Sequence, residues 1–207
     1  RFFDKKIISM FRENFIIILI IIVALVFRIY KFSSHYTFDH DQDLYSWIVK
    51  DIIFDKHIRL IGQQTSIDGV FIGSLYYYFL LPFFLIFKMD PIGVVGAVAV
   101  TSIITVFSIY YVFNKLFDRK FALISSFLYA ASMPLAIFDR WVVPTQPVLL
   151  WTVWFLYSLL SILKGRQIFL ILTAVLLSLT WHIHVALLPL VILVPISIFL
   201  SKKAINY

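Results

Sequence analysis

Three carboxylates fall within five residues near the start of the chain, in the run Asp39-His40-Asp41-Gln42-Asp43. Clustered carboxylate oxygens are the ligands that hard divalent cations such as Mg²⁺ or Mn²⁺ prefer. A single carboxylate is also able to act as a general base toward a hydroxyl or an amine. A structural role competes with both, because Asp is a favoured N-cap residue and complements the positive end of a helix dipole. The spacing alone leaves these interpretations open.

Four more polar side chains are candidates for chemistry: Arg140, Gln146, His182 and His184. Arg140 either binds phosphate in a bidentate way or reaches toward lipid headgroups from a membrane interface. Gln146 is either part of a loop or a neutral oxygen ligand. The two histidines are not at helical spacing, which indicates a break in a helix. They are either interfacial hydrogen-bonding groups or ligands.

The elements that must position these residues belong to a very apolar chain. Of its 207 residues, 62% are hydrophobic and 14% are charged, and the mean hydropathy is +0.96. Soluble domains are about one quarter charged, so we predict an integral membrane protein. The absence of cysteine excludes disulfides and thiolate metal sites. The net charge of +7 lies in short basic clusters between apolar runs, which is typical of cytoplasmic membrane loops and argues against a nucleic-acid partner.

A membrane-spanning helix needs about 20 mostly apolar residues. The final apolar run, 167–201, would be about 50 Å long as one helix, so we divide it at the histidines. The sequence then predicts an all-α, polytopic protein with six crossings in one transmembrane domain, at residues 15–30, 92–113, 121–138, 147–163, 167–181 and 183–201.

The distribution of charge sets the predicted topology. Basic clusters share the cytoplasmic side only if the apolar segment 70–87 does not cross, so we expect that segment to be interfacial or re-entrant. The N-terminus is then cytoplasmic, and residues 31–91 form an extracytoplasmic loop of the plasma (inner) membrane. Helical spacing of apolar residues within this loop predicts a surface helix over 41–56. The acidic run, Arg140 with Gln146, and the histidines fall on the same face. The chain begins at Arg1, and we expect it to be part of a longer protein.

This order of elements resembles the GT-C superfamily of glycosyltransferases, which use polyprenyl-phosphate-linked sugars. The superfamily includes protein mannosyltransferases, aminoarabinose transferases of lipid A and oligosaccharyltransferase catalytic subunits. The resemblance begins at Asp41-Gln42-Asp43-Leu44-Tyr45, an external aspartate followed by an aromatic residue and an amphipathic helix. Segments 69–87, 140–147 and 181–184 are similar to the juxtamembrane helices, the second external loop and a later histidine-bearing turn of the family.

The position of Asp39 at the start of the predicted surface helix predicts that it is a helix cap. The resemblance implies a GT-C-like fold with Asp41 as the catalytic aspartate. It assigns supporting or donor-phosphate-binding roles to Asp43, Tyr45, Arg140, Gln146, His182 and His184. Two positions depart from the family pattern, because Gln42 and either Thr145 or Gln146 stand where many members carry acidic residues. These departures favour a metal-independent member. If a divalent cation, Mg²⁺ or Mn²⁺, takes part, Asp41 is its expected ligand.

The leading functional hypothesis is transfer of a sugar from a polyprenyl-phosphate-linked donor to a lipid, glycan or protein acceptor at the extracytoplasmic face of the lipid bilayer. A transporter or lipid flippase without transfer activity is the alternative. Transporters carry charges near the middle of their spanning segments, whereas the charges here lie at the segment ends. A non-catalytic scaffold subunit is the third hypothesis.

Overall fold

A computed structural model describes residues 2–205, with side chains from Asn14 to Ser201. The basic side chains that contributed to the predicted topology at the two ends, among them Lys5, Lys6 and Lys202, lie outside the described side chains. The structure is mostly helical, which confirms the all-α class. Its helices are α1 Phe2–Ile29, α2 Phe32–His35, α3 His40–Phe54, α4 Leu75–Ile86, α5 Val95–Leu116, α6 Arg119–Ala131, α7 Met133–Arg140, α8 Val148–Leu163, α9 Phe169–Ile183 and α10 Leu193–Ile205.

A short antiparallel hairpin, which the sequence did not predict, interrupts the helices between α3 and α4. Strand β1 (Ile61–Gln64) pairs with β2 (Phe71–Gly73), and Ile61 lies opposite Gly73. Gly69 adopts a left-handed conformation at φ +73° in the connecting turn, where a residue without Cβ avoids steric strain. The hairpin brings polar side chains of β1 back toward helix α3.

Membrane-spanning potential is concentrated in the middle of the described chain. There, one helix, α5 with the 3₁₀ turn that precedes it (Pro91–Leu116), is long and apolar enough to span a bilayer. Helices α6 and α7 would qualify together, but they are bent by 60°. The remaining apolar helices are shorter. The six crossings therefore stay a prediction.

Two predicted continuous helices contain breaks that involve proline. The segment 121–138 divides at Ser132, and α7 begins with Pro134 in its first turn, because proline has no N–H to continue a helix. Helix α9 ends at Ile183, within the predicted break. The segment 183–201 then begins as a 3₁₀ helix, Val185–Ile192, that contains Pro189, and becomes α-helical at Leu193.

The chain divides into two compact units. The first comprises Arg1–Tyr36 and Val98–Trp141, and in it α1 packs on α6 and α7. The Arg28 side chain, which has no solvent exposure, pairs with Asp139 at 2.6 Å. Tyr129 donates its hydroxyl to the same carboxylate oxygen at 2.7 Å. A buried charge is tolerated when partners satisfy it, so this cluster ties α1 to the bent α6–α7 pair.

The second unit comprises Thr37–Ala97 and Val142–Tyr207. One apolar cluster in it joins α8 to α9, where Trp151 stacks on Phe155 and packs with Leu176 and Ile183. The Trp151 indole N–H donates to the carbonyl of Leu176 at 2.7 Å, which satisfies the polar atom of this buried ring. Helices α3 and α4 and the hairpin belong to the same unit and carry most of the candidate site.

Candidate functional site

The acidic run forms the N-terminus of α3, and its three carboxylates lie in different environments. Asp39 is the N-cap and accepts a hydrogen bond from the backbone N–H of His40 at 2.8 Å. The Gln42 side chain returns to the Asp39 backbone N–H at 3.1 Å and completes a capping box. The predicted cap is therefore confirmed. Asp43 is exposed in the first turn, and Asp41 is half-buried.

Gln42 has a structural role that the sequence did not indicate. Its side chain is buried, and beyond the capping box its amide donates to the carbonyl of Val142 at 3.2 Å. This hydrogen bond joins the start of α3 to the segment before α8 within the second unit. A carboxylate in place of Gln42 would have no hydrogen to donate to that carbonyl. The amide thus fixes the position of the helix end that carries Asp41.

Asp41 is oriented by a residue that sequence reasoning missed. The Gln63 side chain in β1 donates its amide N–H to Oδ1 of Asp41 at 2.8 Å and accepts the Tyr45 hydroxyl at 2.9 Å. Among the described residues, no Lys, Arg or His forms an ion pair with Asp41. Asp41 is therefore held as an acceptor of hydrogen bonds without being neutralised by a cation.

The first turn of α4 joins several of the predicted site residues. The Tyr45 ring contacts Tyr76 edge-on with centroids 5.6 Å apart, and it contacts Tyr77 at 5.8 Å. The Tyr76 hydroxyl donates to the side-chain oxygen of buried Gln146 at 3.4 Å. Tyr76 and Tyr77 are both buried. The structure thus connects Asp41 to Tyr45 through Gln63, and Tyr45 to Gln146 through Tyr76.

The two histidines both act as helix caps. His182 accepts the backbone N–H of Leu75, at the start of α4, through Nδ1 at 3.3 Å. Its ring lies against Gly73, where a Cβ would come within 2.0 Å of Nδ1. His184 accepts the N–H of Ala186 at 3.1 Å and caps the 3₁₀ helix. These contacts assign structural roles to both imidazoles: His184 caps its own 3₁₀ helix, and His182 joins α9 to the start of α4.

Arg140 lies in the first unit, at the end of α7. Its Nε donates to the carbonyl of Arg28 at 2.9 Å, and its Nη2 donates to the carbonyl of Tyr30. These carbonyls lie in the last turn of α1 and just after it, where helix carbonyls lack intrahelical partners. The described contacts of Arg140 are therefore those of a helix-capping side chain.

Arg59 is a second cation that the sequence analysis did not single out, and it lies in the same unit as Asp41. The Tyr78 hydroxyl accepts the Arg59 backbone N–H at 3.0 Å and donates to its carbonyl at 2.9 Å. The guanidinium pairs with Asp51 through Nη2 at 3.3 Å. Its Nε is buried and has no hydrogen-bond partner among the described residues. The signal in the sequence was a lone arginine between a surface helix and a segment rich in tyrosine.

Tyr77 completes the group. Only 2% of its surface is exposed, and its hydroxyl has no hydrogen-bond partner in the part of the chain that the structure describes. Burial raises the pKa of Tyr77 to about 12, while Arg59 lowers it and Asp41 raises it. The phenol is therefore a neutral hydrogen-bond donor that experiences the charges of both Arg59 and Asp41.

The side chains around Asp41 do not match a divalent metal site held by protein ligands. Across the described side chains, no three acidic or histidine residues come together as a metal-binding group. One oxygen of Asp41 is already bound by the Gln63 amide N–H. Divalent Mg²⁺ and Mn²⁺ prefer several oxygen ligands, so the chemistry considered below uses the carboxylate itself.

Comparison with known proteins identified no relative of this chain. No protein-family model, curated protein or solved structure matches the chain. The functional interpretation therefore depends on the geometry of the second unit and on the chemistry of its side chains.

Proposed function

We propose that the chain is a multi-pass membrane glycosyltransferase of the GT-C type, which acts at the extracytoplasmic face on a polyprenyl-phosphate-linked sugar. The acceptor is a hydroxyl or amine of a lipid, glycan or protein. The observation that carries this proposal is the single half-buried Asp41 carboxylate, oriented by Gln63 and free of an ion-pair partner among the described residues. Such a group is suited to act as a general base.

The proposed reaction is a single displacement. The acceptor oxygen or nitrogen forms a bond to the anomeric carbon, and the bond between that carbon and the phosphate oxygen breaks. The acceptor proton passes to Asp41, and the lipid phosphate leaves with the bonding electron pair. Because one carboxylate acts as base and no covalent sugar–enzyme intermediate forms, the anomeric configuration inverts.

Several neighbours support Asp41 without touching the reacting atoms. Tyr45 donates to Gln63, and Gln63 donates to Asp41, so the hydroxyl and the amide form one chain. Asp43 is exposed one turn away from Asp39 and has no corresponding partner in the described structure. The proposal therefore assigns the base to Asp41 and makes Tyr45 and Gln63 positioning residues.

The experiment compares Asp41→Asn with Asp43→Asn in the full-length protein, reconstituted in lipid nanodiscs with a panel of polyprenyl-phosphate sugars. Asparagine cannot accept a proton at neutral pH, so we expect D41N to lose at least about a hundredfold in turnover. We expect D43N to retain most of it, because that side chain is exposed. Equal turnover in D41N and the unchanged protein would overturn the assignment.

A transporter or flippase is the second candidate, and the buried Arg28–Asp139 pair favours it. Ionisable residues inside membrane helices often mark a substrate or ion path. Here the pair lies in the last turns of α1 and α7, and backbone carbonyls complete its hydrogen bonds. Substrate-dependent ion or lipid movement in proteoliposomes, lost in Asp139→Asn and retained in D41N, would favour this function over sugar transfer.

A further inference from the structure

His182 forms a hydrogen bond that joins the C-terminal end of α9 to the start of α4. The backbone N–H of Leu75 donates to its Nδ1 at 3.3 Å. Because a backbone N–H only donates, Nδ1 must carry a lone pair, and the ring proton of the neutral imidazole then lies on Nε2. A protonated imidazole has a hydrogen on both ring nitrogens. The contact therefore exists only while His182 is uncharged.

Gly73 limits how the imidazole can respond to a second proton. The half-buried ring of His182 occupies the space of a side chain at position 73, since a Cβ there would come within 2.0 Å of Nδ1. Gly73 ends β2 and Leu75 begins α4, so the ring contacts the chain on both sides of this connection. A hydrogen on Nδ1 would point at the Leu75 N–H, and the ring has no room to move toward Gly73. Protonation is therefore relieved by separation of the ring from Leu75.

The surroundings of His182 supply no counter-ion. The elements packed against α9 are β2, α4, α8 and the 3₁₀ helix, and none of them contains Asp, Glu, Lys or Arg. The titratable groups that these elements place near the end of α9 are Tyr76, Tyr77, Tyr78 and His184. Tyr157 of α8 lies against Phe169, at the opposite end of α9.

Two effects act on a positive charge at His182. Tyrosine side chains are neutral between pH 5 and 8, so the tyrosines of α4 neither attract nor repel the charge of an imidazolium over this range. The residue lies in the last turn of α9, where the helix dipole favours a positive charge. The Leu75 N–H opposes it, because it needs an acceptor. The charged ring is thus favoured at the end of its own helix and disfavoured at the start of α4.

We infer that His182 is a pH-sensitive switch, which joins α9 to α4 while its imidazole is neutral and releases α4 when the imidazole is protonated. Histidine is the side chain whose charge ordinarily changes between pH 5 and 8. The contact with Leu75 is therefore closed near pH 8 and opens as the pH falls toward 5. His182 acts through the backbone of α4, so its role is that of a positioning residue.

The first turn of α4 links this switch to the candidate site. Tyr76 directly follows the residue that donates to His182, and its ring contacts Tyr45. Tyr45 donates to Gln63, which orients Asp41. Opening of the switch frees the start of α4 and loosens this set of contacts. The switch itself does not depend on the proposed function, whereas its effect on turnover rests on Asp41 acting as the base.

The test measures the distance between two nitroxide labels by double electron–electron resonance at pH 8 and pH 5. The labels are attached through Phe71→Cys in β2 and Ser178→Cys in α9, which replace exposed residues. Residues 1–207 contain no other cysteine. In the full-length protein in nanodiscs, we expect longer distances at pH 5, with a roughly tenfold change in the ratio of closed to open forms, the effect of one lost hydrogen bond. Identical distances at the two pH values would overturn the inference.

Three variants in the labelled protein identify the titrating group. His182→Asn places an oxygen acceptor as many bonds from the backbone as Nδ1 and does not titrate, so its distances should stay short at both pH values. His182→Ala has no acceptor and should give long distances at both. The matched control His184→Asn replaces the neighbouring cap with another favoured cap residue and should shift with pH as the unchanged protein does. A pH-dependent shift in H182N, or short distances in H182A, would overturn the inference. Melting temperatures confirm that each variant is folded.

The pH dependence of turnover separates the switch from the proposed function. Sugar transfer should fall between pH 8 and pH 5, and it should fall less steeply in H182N than in the unchanged protein. D41N should lose transfer but keep the distance change. A distance change without any sugar transfer would retain the switch and reject the transferase. Transfer that requires Asp41, without a distance change, would retain the transferase and reject the switch.

Discussion

The buried hydroxyl of Tyr77 gives a stability prediction that opposes the usual effect of a core substitution. Tyr77 and Tyr45 are each 2% exposed, and their rings lie against one another. The Tyr45 hydroxyl donates to Gln63 at 2.9 Å, whereas the Tyr77 hydroxyl has no hydrogen-bond partner among the described residues. A buried polar group without a partner costs about 1–3 kcal/mol. Replacing Tyr77 with Phe removes that cost, so we expect Y77F to raise the free energy of unfolding by about 1 kcal/mol.

The matched variant Tyr45→Phe should do the opposite. It breaks the hydrogen bond to Gln63 and leaves the Gln63 oxygen without that donor, at a cost of about 1–2 kcal/mol. For a chain of this length, 1 kcal/mol corresponds to roughly 2–4 °C in melting temperature. Differential scanning fluorimetry in detergent should therefore show Y77F melting above the unchanged protein and Y45F melting below it.

The comparison also has a clear refuting result. If Y77F melts as far below the unchanged protein as Y45F does, the Tyr77 hydroxyl has a stabilising partner in solution. This result would refute the stability prediction for Y77F.

Three further predictions concern other contacts. Gly73→Ala places a Cβ within 2.0 Å of the His182 ring and should lower the free energy of unfolding by about 1–3 kcal/mol. Melting curves should show that adding His182→Ala to G73A recovers part of the lost stability. A double variant that recovers none of it would contradict the clash. The pKa of Tyr77 is raised from 10.0 to about 12, so the unfolded chain loses the phenol proton at a lower pH than the folded protein does. The free energy of unfolding should therefore be independent of this group below pH 10 and should fall as the pH rises from 10 toward 12. Melting temperature should fall less steeply over that range in Y77F, and identical slopes would argue against the shift. Asp139→Asn leaves the Arg28 charge buried without its counter-ion and should lower the free energy of unfolding by about 3–5 kcal/mol. A melting temperature within about one degree of the unchanged protein would show that the pair is not buried in solution.

Local patterns in the sequence predicted the features that depend on neighbouring residues. The Asp39 cap followed from the position of Asp39 before an amphipathic segment, and the capping box confirms it. The closely spaced His182 and His184 indicated the break at the end of α9. The all-α class followed from long apolar runs, because such runs are recognised from local composition alone.

Features that depend on distant residues were not predictable in this way. Gln63 lies 22 residues from Asp41. Asp68-Gly69 indicated a turn after it, but the four residues of its strand show no alternation of apolar and polar types that would predict a strand. Arg140 had the properties of a phosphate-binding residue, but its acceptors are the carbonyls of Arg28 and Tyr30, more than 100 residues away. Hydrogen bonds of this kind arise from packing, and side-chain type or spacing does not reveal them.

The bend between α6 and α7 was only partly predictable from the sequence. Pro134 was visible in the sequence, and proline disfavours a continuous helix. The apolar character of segment 121–138 nevertheless favoured one helix, because composition does not distinguish a bent pair from a straight span. The buried Asp139 close to the end of this segment was the additional signal, since an acidic residue there needs a partner such as Arg28.

The stereochemistry of transfer tests the central proposal most directly. The full-length protein is incubated with polyprenyl-phosphate sugars labelled with ¹³C at the anomeric carbon, and NMR determines the configuration of the product. Single displacement with Asp41 as base predicts a product of inverted configuration, formed by the unchanged protein and not by D41N. A product of retained configuration, or equal product in D41N, would contradict the proposed role of Asp41.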